Sequence, residues 1–189
     1  MPRVLTNVAE RDLSSHILGM DTGLPFGIAP MGMCAIATPG ADQILAREAA
    51  RRRIPLGVST ASSATLESVI EQSEGYAWFQ LYADPAVAFV DELVGRAETS
   101  GYSVLVLTVD VPISSFRIRD LRNGFGFPMT WGPRQLLDLA RHPRWSLGTL
   151  AHSLSHGTPK PMNYATSSQG ASFVRGSSRA RADWDFLHR

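Results

Sequence analysis

The chain has 189 residues, 44% of them hydrophobic, and a formal net charge of +1 at pH 7. That length suits one domain, and that hydrophobic share can fill a core, which excludes a wholly disordered chain. A single cysteine, Cys34, excludes a disulfide within the chain and a cysteine zinc cluster, and no apolar run reaches the roughly 18 residues of a membrane span.

The charge is unevenly spread. Residues 1–110 hold 7 Arg against 13 Asp and Glu, whereas residues 111–189 hold 10 Arg and 1 Lys against 4. A basic C-terminal part suits an anionic small molecule, a phosphate group or an acidic membrane surface. The cations are scattered and accompany no nucleic-acid motif, so nucleic acid is not an expected partner. The N-terminal MPRVLTNVAERDL lacks the apolar core of a signal peptide, and the expectation is a cytoplasmic protein.

Residues 1–22 show little periodicity and read as a lead-in. A turn at 23–25 opens a first buried strand at 26–30. Thr38 then reads as a helix N-cap with Pro39 at the first helical position, Ala41, Ile44, Leu45 and Ala49 as the stripe, and Arg51, Arg52 and Arg53 at the helix end. A second strand spans 56–60. Thr65 caps the next helix, which has Glu67 in its first turn and Leu66, Val69 and Ile70 on one side, and Gly75 ends it. The third strand is 77–82. Asp84 and Pro85 start a helix with Val87, Val90, Leu93, Val94 and Ala97 inward and Gly101 just past its end. Residues 104–109 form a nearly unbroken apolar, β-branched run, the pattern of a strand buried on both faces, with the fourth strand at 105–109.

This β-α-β-α-β-α-β order with short connections predicts an α/β fold with a parallel sheet and right-handed crossovers. A doubly wound sheet and half of a (β/α)8 barrel both fit. No Gly-x-Gly-x-x-Gly follows the first strand, which weakens a dinucleotide-binding reading. Regularity fades from 124 to about 181, except for a basic amphipathic piece at 134–154 carrying Leu136, Leu137, Leu139, Trp145, Leu147 and Leu150. The favoured reading packs this piece on the domain's own surface; the alternative is membrane contact. The expected division is therefore 1–125 for four β/α units, 126–181 for a long loop and 182–189 for the start of another helix.

Polar residues at the carboxyl ends of buried parallel strands are where α/β enzymes hold their sites. Here those residues are Ser59, Gln80 and Tyr82, Thr108 and Asp110, followed by Arg117, Arg119, Asp120, Arg122 and Asn123. Four motifs occur in order: PFGIAPMG at 25–32, VSTAS at 58–62, WFQLY at 78–82 and SVLVLTVDVPISSFRIRDLRNGF at 103–125. Together they resemble the FMN-dependent α-hydroxy acid dehydrogenases and oxidases, among them glycolate oxidase, L-lactate dehydrogenase and mandelate dehydrogenase. The resemblance runs from about Arg3 to the chain end and selects the barrel, a partial (β/α)8 TIM barrel.

The resemblance implies a role for each position. Pro30, Met31 and Gly32 would lie against the flavin ring, where a residue without a bulky side chain permits close approach. Glycine at this last position matches mandelate dehydrogenases and leaves room for a larger substrate. Ser59, Gln80 and Thr108 would meet the pyrimidine edge of FMN, since an amide and two hydroxyls both donate and accept. Tyr82 would contact the substrate near its reacting oxygen. Arg117 would hold the substrate carboxylate, for which a permanently charged, bidentate guanidinium is suited. Asp110 would orient a catalytic histidine. The family usually has Gly-Ser/Arg-Arg-Glu-Arg-Asp here, and Phe116 and Ile118 depart from that pattern.

The family's flavin-facing lysine, its Ser-Asn-His-Gly-Gly-Arg base motif and its glycine-rich phosphate segment do not occur in this sequence. Lys160, the sole lysine, falls in the expected loop, and His142, His152 and His156 lack carboxylate or cysteine partners at metal-ligand spacing. The expectation is the N-terminal half of such an enzyme, oxidising an L-2-hydroxy acid to the 2-oxo acid but inactive alone. The alternative is a half-barrel flavin-binding module that assembles with a second half or another copy of itself. In some family members the loop after the fourth strand docks on membranes, which makes 134–154 a candidate for peripheral contact with the inner membrane face.

Overall fold

The computed structural model describes residues 9–84, 86–109, 118–124, 132–168 and 184. The lead-in contains a hairpin. Strands β1 (Ser15–Ile17) and β2 (Met20–Thr22) pair antiparallel through Ile17 and Met20. Leu18 and Gly19 make the turn, both at positive φ, the geometry that matches the twist of a two-residue hairpin.

Four parallel strands follow: β3 (Ile28–Met31), β4 (Leu56–Ser59), β5 (Ala77–Tyr82) and β6 (Leu105–Thr108). Their spatial order equals their chain order. Helices α1 (Ala41–Arg52), α2 (Leu66–Gln72) and α3 (Val87–Thr99) connect them. All three cover one face. Ala46 and Ala49 of α1 and Val69 and Ile70 of α2 pack on Leu56, Val58 and Ala77, while Leu66, Phe89, Val90, Leu93 and Ala97 pack on Phe79 and Leu81. Those strand residues alternate along β4 and β5, as one face of a pleated strand must. A doubly wound sheet reverses its strand order and carries helices on both faces. This sheet does neither, and among the described residues it forms an open arc of a (β/α)8 barrel.

Several sequence expectations are corrected. The first helix starts at Ala41, after Gly40 at φ 71. A glycine in that left-handed conformation cannot continue a helix, so Thr38 and Pro39 precede it. The buried face of α1 is Asp42, Ala46 and Ala49, and Ile44 faces outward. In α3 the stripe includes Phe89 in place of Val87, which is exposed. Strand β6 is not buried on both faces: the adjacent Leu105 and Val106 are 50% and 36% exposed. Its apolar run belongs to a strand with neighbours on each side, and among the described residues β6 pairs with β5 alone.

The amphipathic piece at 134–154 is helical, as α5 (Pro133–Arg141) and α6 (Pro143–His156), and the stretch beyond it, expected to be irregular, adds α7 (Met162–Ala165); the short α4 (Ile118–Arg122) precedes them. The amphipathic piece breaks at His142, φ −120 and ψ 59, because Pro143 disfavours a helical residue before it. Leu136, Leu137, Leu147, Leu150 and Leu154 are exposed, so the favoured packing against the domain's own surface is not what these leucines do. The half-buried Trp145 ties α6 down by donating from Nε1 to Ile36 O at 2.9 Å. Of 182–189, Trp184 alone lies within the described residues, and it is helical.

Candidate active site

The concave face of the sheet, opposite the helices, is built by the other strand alternation. Gly57 and Ser59 of β4 pair with Trp78 and Gln80 of β5, and Gln80 and Tyr82 pair in turn with Val106 and Thr108 of β6. Partners in a parallel ladder share a face. Ser59, Gln80, Tyr82 and Thr108 therefore line one face at the carboxyl ends of three consecutive strands. Gln80 Nε2 donates to Thr108 Oγ1 at 2.7 Å, which joins two of the sequence-predicted residues directly.

The turn after β3 borders the same rim. An added Cβ at Gly32 would lie 3.2 Å from Ala61 Cβ and 3.7 Å from Ser59 Oγ. The missing side chain thus brings this turn close to the end of β4. One residue on, Met33 has φ 56, and its N–H donates to Ala61 O at 2.8 Å. The first strand is not the buried strand expected: Ala29, Pro30 and Met31 of β3 are exposed, Met31 by 45%. Asp110 and Arg117 lie outside the described residues. Their neighbours Arg119 and Asp120 sit in α4.

The loop after β4 is the hub of the rim. Ser59 Oγ accepts from Ala61 N, and Thr60 Oγ1 donates to Gln80 O at 2.7 Å and accepts from Tyr82 N at 3.2 Å. Ser62 Oγ donates to Asp42 Oδ1 at 2.8 Å. Burial raises the Asp42 carboxyl above its ordinary range, although the Ser62 hydrogen bond opposes that shift. The Cys34 thiol is pushed up to about 11, first by burial and then by the nearby Asp42 charge. A thiol so raised is a poor nucleophile at neutral pH.

Three residues of this region were not singled out from the sequence: Asp42, Thr60 and Asn163. Asp42 and Thr60 sit within readable segments, but nothing in their spacing distinguishes them from cap or turn residues. Asn163 follows Pro161 in a stretch without periodicity, and its role depends on contacts roughly a hundred residues away.

The whole chain, residues 1–189, matches the FMN-dependent dehydrogenase family, and it belongs to that family. It is 37% identical over 166 residues to (S)-mandelate dehydrogenase of Pseudomonas putida, covering 88% of this chain and 41% of the relative. It is 35% identical over 170 residues to a putative L-lactate dehydrogenase of Mycobacterium tuberculosis, covering 87% and 38%. A crystal structure of the monotopic membrane protein (S)-mandelate dehydrogenase superposes with a TM-score of 0.78 at 38% identity, covering 90% of this chain and 44% of that one. The chain thus spans about two-fifths of the length of these curated relatives.

The residues present fit a flavin ring. The rim offers one amide and two hydroxyls on a single face, and Gly32 leaves no side chain in the way. Trp78, on the same face as Gln80, has a buried indole N–H with no hydrogen-bond partner among the described residues. A buried donor in that state calls for a partner.

Proposed function

We propose that this chain supplies the flavin face and the substrate-carboxylate site of an FMN-dependent α-hydroxy acid dehydrogenase. The substrate is an L-2-hydroxy acid, lactate-like or with a bulkier aromatic group. The observation that carries this reading is the convergence of Ser59, Gln80, Tyr82 and Thr108 on one face beside Gly32. Ser59, Gln80 and Thr108 would hold the pyrimidine edge of the ring by hydrogen bonds, and the backbone of Pro30, Met31 and Gly32 would lie along its face. When held there, FMN would supply the two-electron acceptor needed to take the hydroxy acid to the 2-oxo acid. Tyr82 holds the substrate near its reacting oxygen. Arg117 holds the carboxylate, and Asp110 orients a histidine base. These two roles rest on the motif alone. Residues 1–125 form the ring-binding units, 126–181 the segment over the site, and 182–189 the start of the next helix.

The sequence holds no Ser-Asn-His-Gly-Gly-Arg motif, so the 189-residue chain binds without turning over. Loss of a general base costs typically about 10²–10⁴-fold. The test adds FMN, then (S)-mandelate or L-lactate with a dye acceptor, to the purified chain. Flavin binding with negligible dye reduction is expected; robust turnover would refute the absent-base assignment.

Helices α5 and α6 are the proposed peripheral membrane contact. They present five exposed leucines alongside Arg134, Arg141 and Arg144, the composition of an interfacial helix. A similar mandelate dehydrogenase is described as monotopic, and among the described residues no helix is long and apolar enough to cross a membrane. Sedimentation with anionic phosphatidylglycerol vesicles should drop several-fold in a Leu147→Glu/Leu150→Glu variant. Equal sedimentation of both proteins contradicts the contact.

A second reading is favoured by the exposed edges β3 and β6: a half-barrel module that assembles with a second half or another copy. Unpaired strand edges drive association. Light scattering should then show a dimer or larger species, and a monodisperse monomer over micromolar concentrations argues against it.

A further inference from the structure

Asn163 is completely buried, 0% exposed, although α7 lies in the stretch with no sequence periodicity. Its Oδ1 accepts from Leu66 N at 3.0 Å, capping the start of α2. Its Nδ2 points at Ser59 O and Thr60 O, each 3.4 Å away. One amide side chain therefore ties the first helical N–H of α2 to the two carbonyls that end β4. The segment that carries it is held independently. Met162 N donates to Ser62 O at 2.9 Å, Tyr164 packs on Phe89 with ring centroids 4.6 Å apart, and Ser168 Oγ donates to Glu92 Oε2 at 2.7 Å.

Thr60 extends the connection sideways. It is 1% exposed, and its hydroxyl sits between β4 and β5, donating to Gln80 O and accepting from Tyr82 N. Its own N–H also donates to Gln80 O at 3.0 Å. Ser59, Gln80 and Tyr82 are thus fixed relative to one another through Thr60, and Thr60 is fixed by Asn163. Buried polar groups joined this way rigidify their surroundings only while every member is satisfied.

We infer that Asn163 and Thr60 are positioning residues, which set the spacing of Ser59, Gln80 and Tyr82 at the rim although neither faces the ring. This rests on the flavin reading above. It gives the distant segment 162–168 a defined role, because the chain after β6 returns to lock the end of β4.

Two isosteric variants test it. Thr60→Val keeps the shape and deletes the hydroxyl, and Thr60→Ser restores the hydroxyl. Asn163→Asp keeps the acceptor for Leu66 N but turns an oxygen toward Ser59 O and Thr60 O. Leu93→Ala, buried against Phe79 and away from the rim, controls for lost stability alone. The first readout is FMN affinity by fluorescence quenching. Thr60→Val and Asn163→Asp should weaken it at least tenfold, while Thr60→Ser and Leu93→Ala stay within about twofold of the parent. The second readout needs no flavin: amide hydrogen exchange at Ser62, Leu66 and Tyr82. It should accelerate at least tenfold in Thr60→Val or Asn163→Asp relative to amides of α1. If Asn163→Asp does not fold, the Thr60→Val and Thr60→Ser pair decides.

Unchanged affinity, or affinity lost equally in Leu93→Ala, overturns the inference. A parent chain that binds no FMN, with exchange still accelerating at those three amides, sinks the flavin reading and leaves the positioning network standing. Uniform exchange across the sheet overturns the network itself.

Discussion

Replacing Gly57 by alanine should push β3 off β4 and carry the proposed flavin wall with it. Gly57 lies beside Pro30, where the β3–β4 register shifts between Ile28 and Met31. An added Cβ would stand 2.6 Å from Pro30 Cδ, 2.7 Å from Pro30 N and 3.1 Å from Pro30 Cα. Carbon atoms rest about 3.5–4.0 Å apart, so the strands must separate by roughly 0.9 Å or more. The colliding atoms are ring and backbone, and no rotamer change relieves them. Overpacking of this kind costs about 1–3 kcal/mol. For a chain of this size each kcal/mol lowers Tm by about 2–4 °C, which predicts a fall of roughly 2–12 °C by calorimetry. Since β3 is an edge strand it yields first, and Pro30, Met31 and Gly32 move with it. FMN affinity should therefore drop by about tenfold or more in the folded variant. A Tm within about 1 °C of the parent, together with unchanged flavin affinity, would refute both the close approach and the placement of this turn at the rim.

Other consequences follow from burial and charge. Leu93→Ala removes a fully buried side chain packed among Leu66, Phe79 and Phe89 and should cost about 2–5 kcal/mol in urea unfolding; Val87→Ala, on an exposed residue of the same helix, should stay within about 0.5 kcal/mol. Cys34 should resist iodoacetamide near pH 8, and its alkylation rate should climb with pH toward a midpoint of about 11, where an ordinary cysteine has its midpoint near 8.5. Asp42→Asn should shift that midpoint down by removing a neighbouring negative charge, and an ordinary midpoint in the parent chain would contradict the buried setting.

Much of this architecture was legible because the strands are short, apolar and bounded by turn residues. The alternation of helix and strand predicts the parallel order, whereas Ser59, Gln80, Tyr82 and Thr108 end apolar strands like ordinary core or capping polars and were marked as site residues by the family resemblance. What escaped the reading was tertiary. The β6 pattern describes a strand with two neighbours, and periodicity alone cannot say that one edge is open. In α3 the apolar residues are dense enough that a stripe through Val87 looked as good as one through Phe89, Leu93 and Ala97; packing against Phe79 and Tyr164 chooses the latter. In α1 the inward residues are alanines, which carry little hydrophobic signal, while the larger Ile44 points out. The break at His142 was readable, since Pro143 follows it. Asn163 was not, because its partners at Ser59, Thr60 and Leu66 are remote in sequence.

The most direct test of the flavin-face proposal is FMN titration of the chain and its Gln80→Leu variant, followed by flavin fluorescence. Gln80 is buried and its amide reaches Thr108 at the rim, so leucine keeps the bulk and removes the hydrogen-bonding edge. Saturable quenching is expected in the parent chain, with affinity at least tenfold weaker in the variant and no loss of fold by circular dichroism. Equal affinity in both proteins, or no saturable binding by the parent chain, would contradict it.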